Sequence, residues 1–229
     1  MNDRPVMLIT GASSGIGATT ARLAVENGYR VALAARRRDP LEELATELGG
    51  PQTALALSCD VSEWDQVRAA VDATVDVFGR LDVAFANAGF GAVRGLLNET
   101  PEHWRSMVLT NVLGPALLAR AAVPALEDAR GHLLVTGSVA GHVNVPGSLY
   151  SATKHAAVAF AESARKDLLP RGIRVTLISP GNVETPFFDN PPEIALTPDD
   201  VARAVMYAVT QPGHVEINEI VMRHREQEI

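Results

Sequence analysis

Short apolar runs alternate with helix-length amphipathic segments along the whole chain, and that alternation restricts the fold more than any other feature. "VMLIT" (6–10), "YRVALAA" (29–35), "TALALSC" (53–59), "LDVAFANAG" (81–89), "GHLLVTGS" (131–138), "IRVTLISPG" (173–181) and "EINEIVMR" (216–223) read as seven strands. Nearly continuous apolar strands separated by helices imply a parallel sheet covered on both faces. The expected fold class is α/β: a single doubly wound domain over residues 1–229, its seven-stranded parallel sheet flanked by helices on both sides.

The punctuation between these segments supports the pattern. Gly28 is placed to end the first helix, Asp39-Pro40 to open the second and Gly49-Gly50 to close it. Ser62, with Asp65 three residues on, is expected to cap a long third helix. Residues 101–128 read as one long helix, kinked by Gly114-Pro115 and Pro124. Thr197 and Pro198 start the last helix.

Composition removes several function classes. A net charge of −7 argues against a general nucleic-acid or anionic-membrane binder. The lone cysteine, Cys59, has no internal partner for a disulfide; at the end of an apolar run it reads as a small core residue, and a cytoplasmic, reducing location is expected. The N-terminus does not read as a signal peptide, and no run approaches ~20 uninterrupted apolar residues, so no membrane span is expected. Histidines 103, 132, 155, 214 and 224 form no metal-ligand cluster, and no metal is expected.

The first strand runs into "TGASSGIG", with Gly11, Gly15 and Gly17 in the order G-x-x-x-G-x-G at the start of a helix. Glycines there let the chain turn, let backbone approach a pyrophosphate and let the helix pack close to the sheet, while the helix N-terminus attracts anions. No Gly-Lys-Ser/Thr follows, so this is not an ATPase phosphate loop. Three further stretches emerge where ligands sit in such sheets, outside the carboxyl ends of the strands. They are "NAG" (Asn87, Ala88, Gly89), "TGSVAG" with Ser138, and "YSATK", which places Tyr150 and Lys154 one helical turn apart.

In order and spacing these motifs resemble the short-chain dehydrogenase/reductases, in their compact single-domain branch. T-G-x-x-x-G-x-G (10–17), N-A-G (87–89), the helix Asn111, Ser138, Y-x-x-x-K (150–154) and "PGNVET" (180–185) span almost the whole chain. The resemblance implies a Rossmann-type fold and an alcohol/ketone oxidoreductase with Tyr150, Lys154, Ser138 and Asn111 as catalytic residues. Tyr150 is the expected acid/base, and the positive charge of Lys154 is expected to lower its phenol pKa from about 10. Ser138 is expected to hold the substrate oxygen. Lys154 is implied to hold the nicotinamide ribose, and Asn111 a water of a proton relay. The implied dinucleotide site comprises Gly11, Ser13, Ser14, Gly15, Ile16, Gly17, Arg36, Arg37, Asp60, Val61, Asn87, Ala88, Gly89, Tyr150, Lys154, Pro180, Gly181, Val183 and Thr185.

Cofactor preference turns on "VALAARRRDP". An acidic residue near the end of the second strand usually binds the NAD ribose, but here the place belongs to Ala34, Ala35 and Arg36, with no carboxylate before Asp39. A guanidinium binds a 2′-phosphate with paired hydrogen bonds, so NADP(H) is expected, read by Arg36 with help from Arg37, while Arg38 faces water. The glycine loop lacks the basic residue that many NADP-preferring members carry there.

Only "FFDNPPEIAL" (187–196) separates Thr185-Pro186 from the next helix, a short lid expected to leave an open pocket for a small substrate, with Phe187 and Phe188 as an apolar wall. Gly91, Val145 and His142 lie in loops beside the expected nicotinamide site, although a loop histidine more often faces water. The lid and "INEIVMR" resemble members acting on 3-hydroxy acids and hydroxy amino acids. A 3-oxoacyl-type ketoreductase and a non-catalytic NADP-binding sensor are the alternatives; the intact Ser138, Tyr150 and Lys154 speak against the sensor. The resemblance also implies a homodimer or homotetramer packed through helices 101–128 and 150–170.

Overall fold

A computed structural model describes residues 4–91, 93–187 and 192–227. Seven strands, β1 (Val6–Thr10), β2 (Arg30–Ala35), β3 (Ala54–Ser58), β4 (Val83–Ala86), β5 (His132–Thr136), β6 (Arg174–Pro180) and β7 (Glu219–Met222), form one sheet in the order β3-β2-β1-β4-β5-β6-β7. Every pairing is parallel. The order reverses between β1 and β4, which opens a crevice outside their carboxyl ends, where ligands of such sheets bind.

The period-2 alternation of each strand feeds two cores. Met7, Ile9, Val31 and Leu33 pack on one face, under α1 (Gly15–Glu26), α2 (Asp39–Glu47) and α7 (Pro198–Val209), through Ala21, Leu41 and Val205. Leu8, Ala32, Ala84 and Leu133 pack on the other, under α3 (Trp64–Phe78), α5 (Gly114–Ala129) and α6 (Leu149–Leu168), through Val71, Leu118 and Ala161. Burial on both faces explains why "VMLIT" is apolar without interruption.

One expectation needs correction, and the run 101–129 needs two refinements. Ser62 does not cap α3: its N–H and hydroxyl both donate to Asp60 Oδ1 (3.0 and 2.7 Å), and the helix starts at Trp64 after Glu63. The nearby carboxylate outcompetes the helix for both donors. A reciprocal capping box forms instead at α7, where Asp200 N donates to Thr197 Oγ1 (3.2 Å) and Thr197 N to Asp200 Oδ2 (2.8 Å). Second, the break expected within 101–128 lies just before Gly114-Pro115, whereas Pro124 stands inside a continuous helix. A π-helical turn at 109–113 separates α4 (Pro101–Val108) from α5. Pro115 has no N–H and its ring crowds the carbonyl four residues back, that of Asn111, so the ladder widens there. Third, this run Pro101–Ala129 is long and apolar enough by length and composition to cross a membrane. Here Met107, Leu118, Ala122 and Leu126 are buried against the rest of the protein, while Val108, Leu109 and Leu113 stay exposed.

One buried polar group in the sheet has a measurable consequence. His132 Nε2 lies 2.8 Å from Thr176 Oγ1, and that hydroxyl donates to the Ile217 carbonyl. The Thr176 oxygen must therefore accept, which places the imidazole proton on Nε2 and leaves buried Nδ1 without a partner among the described residues. Burial, with the charge of Arg174 in second place, pushes the imidazole down to about 3 from 6.5. The unfolded chain takes up this proton near pH 6.5 and the folded protein only near 3, so the ring's contribution to stability is intact above 6.5 and declines as pH falls toward 3. The urea midpoint of the protein should fall between pH 7 and pH 5, and His132→Gln should shrink that fall. An equal fall in both proteins would show that His132 is not buried in its neutral form.

Candidate active site

The crevice between β1 and β4 is a cavity of about 890 Å³. One wall is the glycine loop. Gly11 (φ +68°) and Gly15 (φ +53°) have backbone conformations that L side chains rarely adopt. A Cβ on Gly11 would come within 2.9 Å of Ala88 Cα, and one on Gly15 within 3.0 Å of Thr185 Cγ2. Gly11, Ser13, Ser14, Gly15 and Ile16 line the cavity, but Gly17 does not. Its Cβ would run into the Gly11 carbonyl and the Asn87 amide, so Gly17 serves the close packing of α1. At the N-cap of α1 the Ser14 side chain makes no capping bond and no acidic residue occupies the first turn, which leaves the helix amides open to an anion.

Asn87 fastens this wall to the sheet. Its Nδ2 donates to the Thr10 carbonyl (3.0 Å), its backbone N–H donates to Thr10 Oγ1 (3.0 Å), and its Oδ1 accepts from Thr136 Oγ1 (3.2 Å). Three strand ends are thus joined, and Ala88 and Gly89 follow along the cavity floor.

At the far end the three arginines divide. Arg36 and Arg37 line the cavity, whereas exposed Arg38 pairs with Glu42 at 2.6 Å. Cys59, Asp60 and Val61 lie opposite. Burial opposes ionisation of Asp60, but the two Ser62 bonds and the Arg36 charge hold its carboxyl below the usual range. Burial pushes the Cys59 thiol up to about 11, which makes it inert at neutral pH, the core residue its position suggests.

At the other end Ser138, Tyr150 and Lys154 converge. Ser138 closes β5, its Oγ accepting from Ala140 N (3.1 Å) and hydrogen-bonding with the Tyr150 hydroxyl. Ser148 caps α6 by accepting from Ser151 N (3.2 Å), and Ser151 Oγ reaches the Ala140 and Val143 carbonyls (2.7 and 2.8 Å), so the Ser138 loop and the start of α6 move as one. Lys154 Nζ donates to the Thr136 carbonyl (2.8 Å) and stands 5.6 Å from the Tyr150 ring centroid. Burial pushes the Tyr150 phenol up to about 12, against the pull of the Ser138 bond, and pushes the Lys154 ammonium down to about 8. The lowered phenol pKa expected from Lys154 is therefore absent in the protein by itself: desolvation outweighs a charge placed over the ring instead of at the oxygen.

Asn111, buried in the π-helical turn, does not line the cavity. Its Oδ1 accepts from Phe90 N (3.1 Å), and its Nδ2 donates to Phe90 O (2.9 Å) and Thr153 Oγ1 (3.2 Å). It clamps the loop after β4 to α6.

Pro180, Gly181, Val183 and Thr185 line the wall after β6, and Gly91, Val145 and Phe187 lie near Tyr150, whose ring meets Phe187 edge-on at 5.6 Å. Phe188 lies outside the described residues. His142 is not at the cavity: it pairs with Glu219 at 2.7 Å, and Glu219 also accepts from Ser179 Oγ at 2.6 Å. Several lining residues carry no motif and escape sequence reasoning, Phe90, Arg94 and Gln227 among them. Gln227 returns from the C-terminal segment to accept from Asn182 N (2.9 Å), a contact between distant positions with no local signature.

Residues 5–193 match the sequence model of the short chain dehydrogenase family. The chain is 38% identical over 246 residues to dehydrogenase/reductase SDR family member 11 of Gallus gallus, covering 97% of this chain and 96% of that one. An alcohol dehydrogenase of the archaeon Thermococcus sibiricus, complexed with 5-hydroxy-NADP, shares the fold at TM-score 0.90 and 31% identity over 99% of both chains. A 3-ketoacyl-(acyl-carrier-protein) reductase of Brucella melitensis, complexed with NADH, does so at TM-score 0.88 and 29% identity, over 95% of this chain and 96% of that one.

Proposed function

The chain belongs to the short-chain dehydrogenase family of oxidoreductases, and on that premise we propose that it uses NADP(H) to interconvert a small secondary alcohol with its ketone, or a primary one with its aldehyde. The carrying observation is the convergence of Ser138, Tyr150 and Lys154 on the cavity whose far end holds Arg36 and Arg37. The residues fit a dinucleotide: Gly11 and Gly15 keep clear a cradle that a Cβ would fill, and open amides at α1 face it. The bound nicotinamide supplies or accepts the hydride.

The chain's own groups handle the proton. Ser138 orients the substrate oxygen beside the Tyr150 hydroxyl. With a pKa pushed up to about 12, the phenol is protonated at neutral pH, the form that donates to a carbonyl oxygen during reduction. Lys154, pushed down to about 8, is still mostly cationic there and favours the phenolate once the proton has left. The Asn111 carbonyl, deprived of its i+4 donor by Pro115, supports the proton relay assigned to this residue. Its side-chain oxygen and Lys154 Nζ flank the same glycine, at 3.2 and 3.8 Å from a Cβ built on Gly89.

Arg36 and Arg37 support the 2′-phosphate form of the cofactor, because they occupy the end of β2 where a ribose-binding carboxylate would otherwise stand. The 5-hydroxy-NADP and NADH named with the two solved relatives show that both forms occur among similar chains, so the preference rests on these side chains. Assembly as a homodimer or homotetramer belongs to the same proposal, through the helices at 101–129 and 149–168, where Val108, Leu109 and Leu113 remain exposed.

Tyr150→Phe should lower kcat by roughly 10²–10⁴-fold while the NADPH dissociation constant stays nearly unchanged; unaltered turnover would remove Tyr150 from the proton transfer. Arg36→Ala should weaken NADPH by about tenfold, measured by fluorescence titration, with little effect on NADH. Equal losses for both cofactors would overturn the 2′-phosphate assignment.

A further inference from the structure

The cavity carries a cation that neither the proton chemistry nor the dinucleotide uses. Its charged lining among the described residues is Arg36, Arg37, Lys154, Arg94 and a single carboxylate, Asp60. In a chain with net charge −7, that is a locally cationic site. Arg36 and Arg37 face the expected 2′-phosphate, the pyrophosphate belongs at the glycine loop, and Lys154 stands behind Tyr150. Arg94 lines the same cavity from the loop after β4, whose Gly95 touches Gly147 in the loop of Val145 and Ser148, away from the glycine loop and the end of β2 where the phosphates of the cofactor are expected.

The backbone at Arg94 is fastened on both sides. Val93 N donates to Glu99 Oε2 (3.2 Å), Asn98 Nδ2 donates to the Arg94 carbonyl (2.7 Å), and Gly95 N donates to the Gly147 carbonyl (3.0 Å). Gly95 and Gly147 touch so closely that a Cβ on Gly147 would come within 2.9 Å of Gly95 Cα, which brings Arg94 beside the loop that carries Val145 and Ser148. The carboxylate on its own loop is engaged elsewhere: Glu99 accepts from Val93 N and Thr100 N and lies 3.5 Å from His103 Nε2. No ion pair or hydrogen bond joins the Arg94 side chain to another described residue. An exposed guanidinium on a fastened stretch of backbone at the cavity, with no carboxylate partner among the described residues, is arranged for an anion that arrives from solution.

We propose that Arg94 binds a carboxylate of the substrate, so that the enzyme acts on small hydroxy acids and oxo acids in preference to their neutral counterparts. The assignment rests on the carbinol reacting at Tyr150, as proposed above. Arg94 gives that substrate direction: carboxylate toward the mouth, carbonyl toward Ser138 and Tyr150.

A matched pair tests it, 3-oxobutanoate and its methyl ester, with NADPH and the native and Arg94→Gln proteins. The native enzyme should show a KM lower for the acid than for the ester by about tenfold, and Arg94→Gln should raise the acid's KM by about as much while the ester's KM and the NADPH affinity hold. Equal change for acid and ester, or none for either, would overturn the proposal. Calorimetric titration of the acid into the Tyr150→Phe protein carrying NADP⁺ reads Arg94 without turnover. Weakening by Arg94→Gln supports the carboxylate site, and unchanged or absent binding overturns it. Absence of turnover by the native enzyme on both ketones, with Arg94-dependent acid binding intact, would instead count against the oxidoreductase reading.

Discussion

A seam of hydrogen bonds, Thr10 to Asn87 to Thr136 to Lys154, is what the rest of the site depends on. Parallel strands splay as they twist, and β1, β4 and β5 would otherwise end with unpaired polar groups around an open crevice. The Asn87 amide bridges the first gap, Thr136 continues through its hydroxyl, and the Thr136 carbonyl receives Lys154. The glycine loop and the start of α6 are thereby held to one frame, so the ends proposed to bind the dinucleotide's anions and to handle the proton keep a fixed separation. Gly17 belongs to the same seam, because only a residue without a Cβ fits beside the Asn87 amide.

Electrostatics follow from where that seam sits. Lys154 is carried into the interior and loses hydration, which lowers its affinity for a proton, and Tyr150 beside it becomes a weaker acid for the same reason. In its free form the protein thus keeps the Tyr150 phenol protonated at neutral pH, which suits the proton donation proposed for it. The cavity as a whole is cationic although the chain is acidic, which matches a dinucleotide carrying several negative charges.

Much of this was legible in the chain itself. Apolar alternation over seven strands, the glycine spacing, and Tyr150 and Lys154 one turn apart are local patterns, and local patterns survive without coordinates. The split of "RRR" was also readable, since Arg38 stands four residues from Glu42 on α2 and pairs with it, leaving Arg36 and Arg37 for the cavity. What sequence reasoning missed depends on distance or competition. Asp60 captured Ser62, a contest between two nearby partners that a capping rule does not weigh. The Tyr150 shift went the other way because burial, a property of the whole fold, outweighed a neighbour. Arg94 and Gln227 reach the cavity through loops whose paths no periodicity encodes.

The most direct test of the account is NADPH oxidation by the native enzyme against a panel of small ketones and aldehydes. The account predicts saturable turnover with at least one member, and faster turnover with NADPH than with NADH. Tight NADPH binding with no member of the panel reduced would contradict it, and would leave a nucleotide-binding protein in which the Ser138–Tyr150–Lys154 arrangement performs no chemistry.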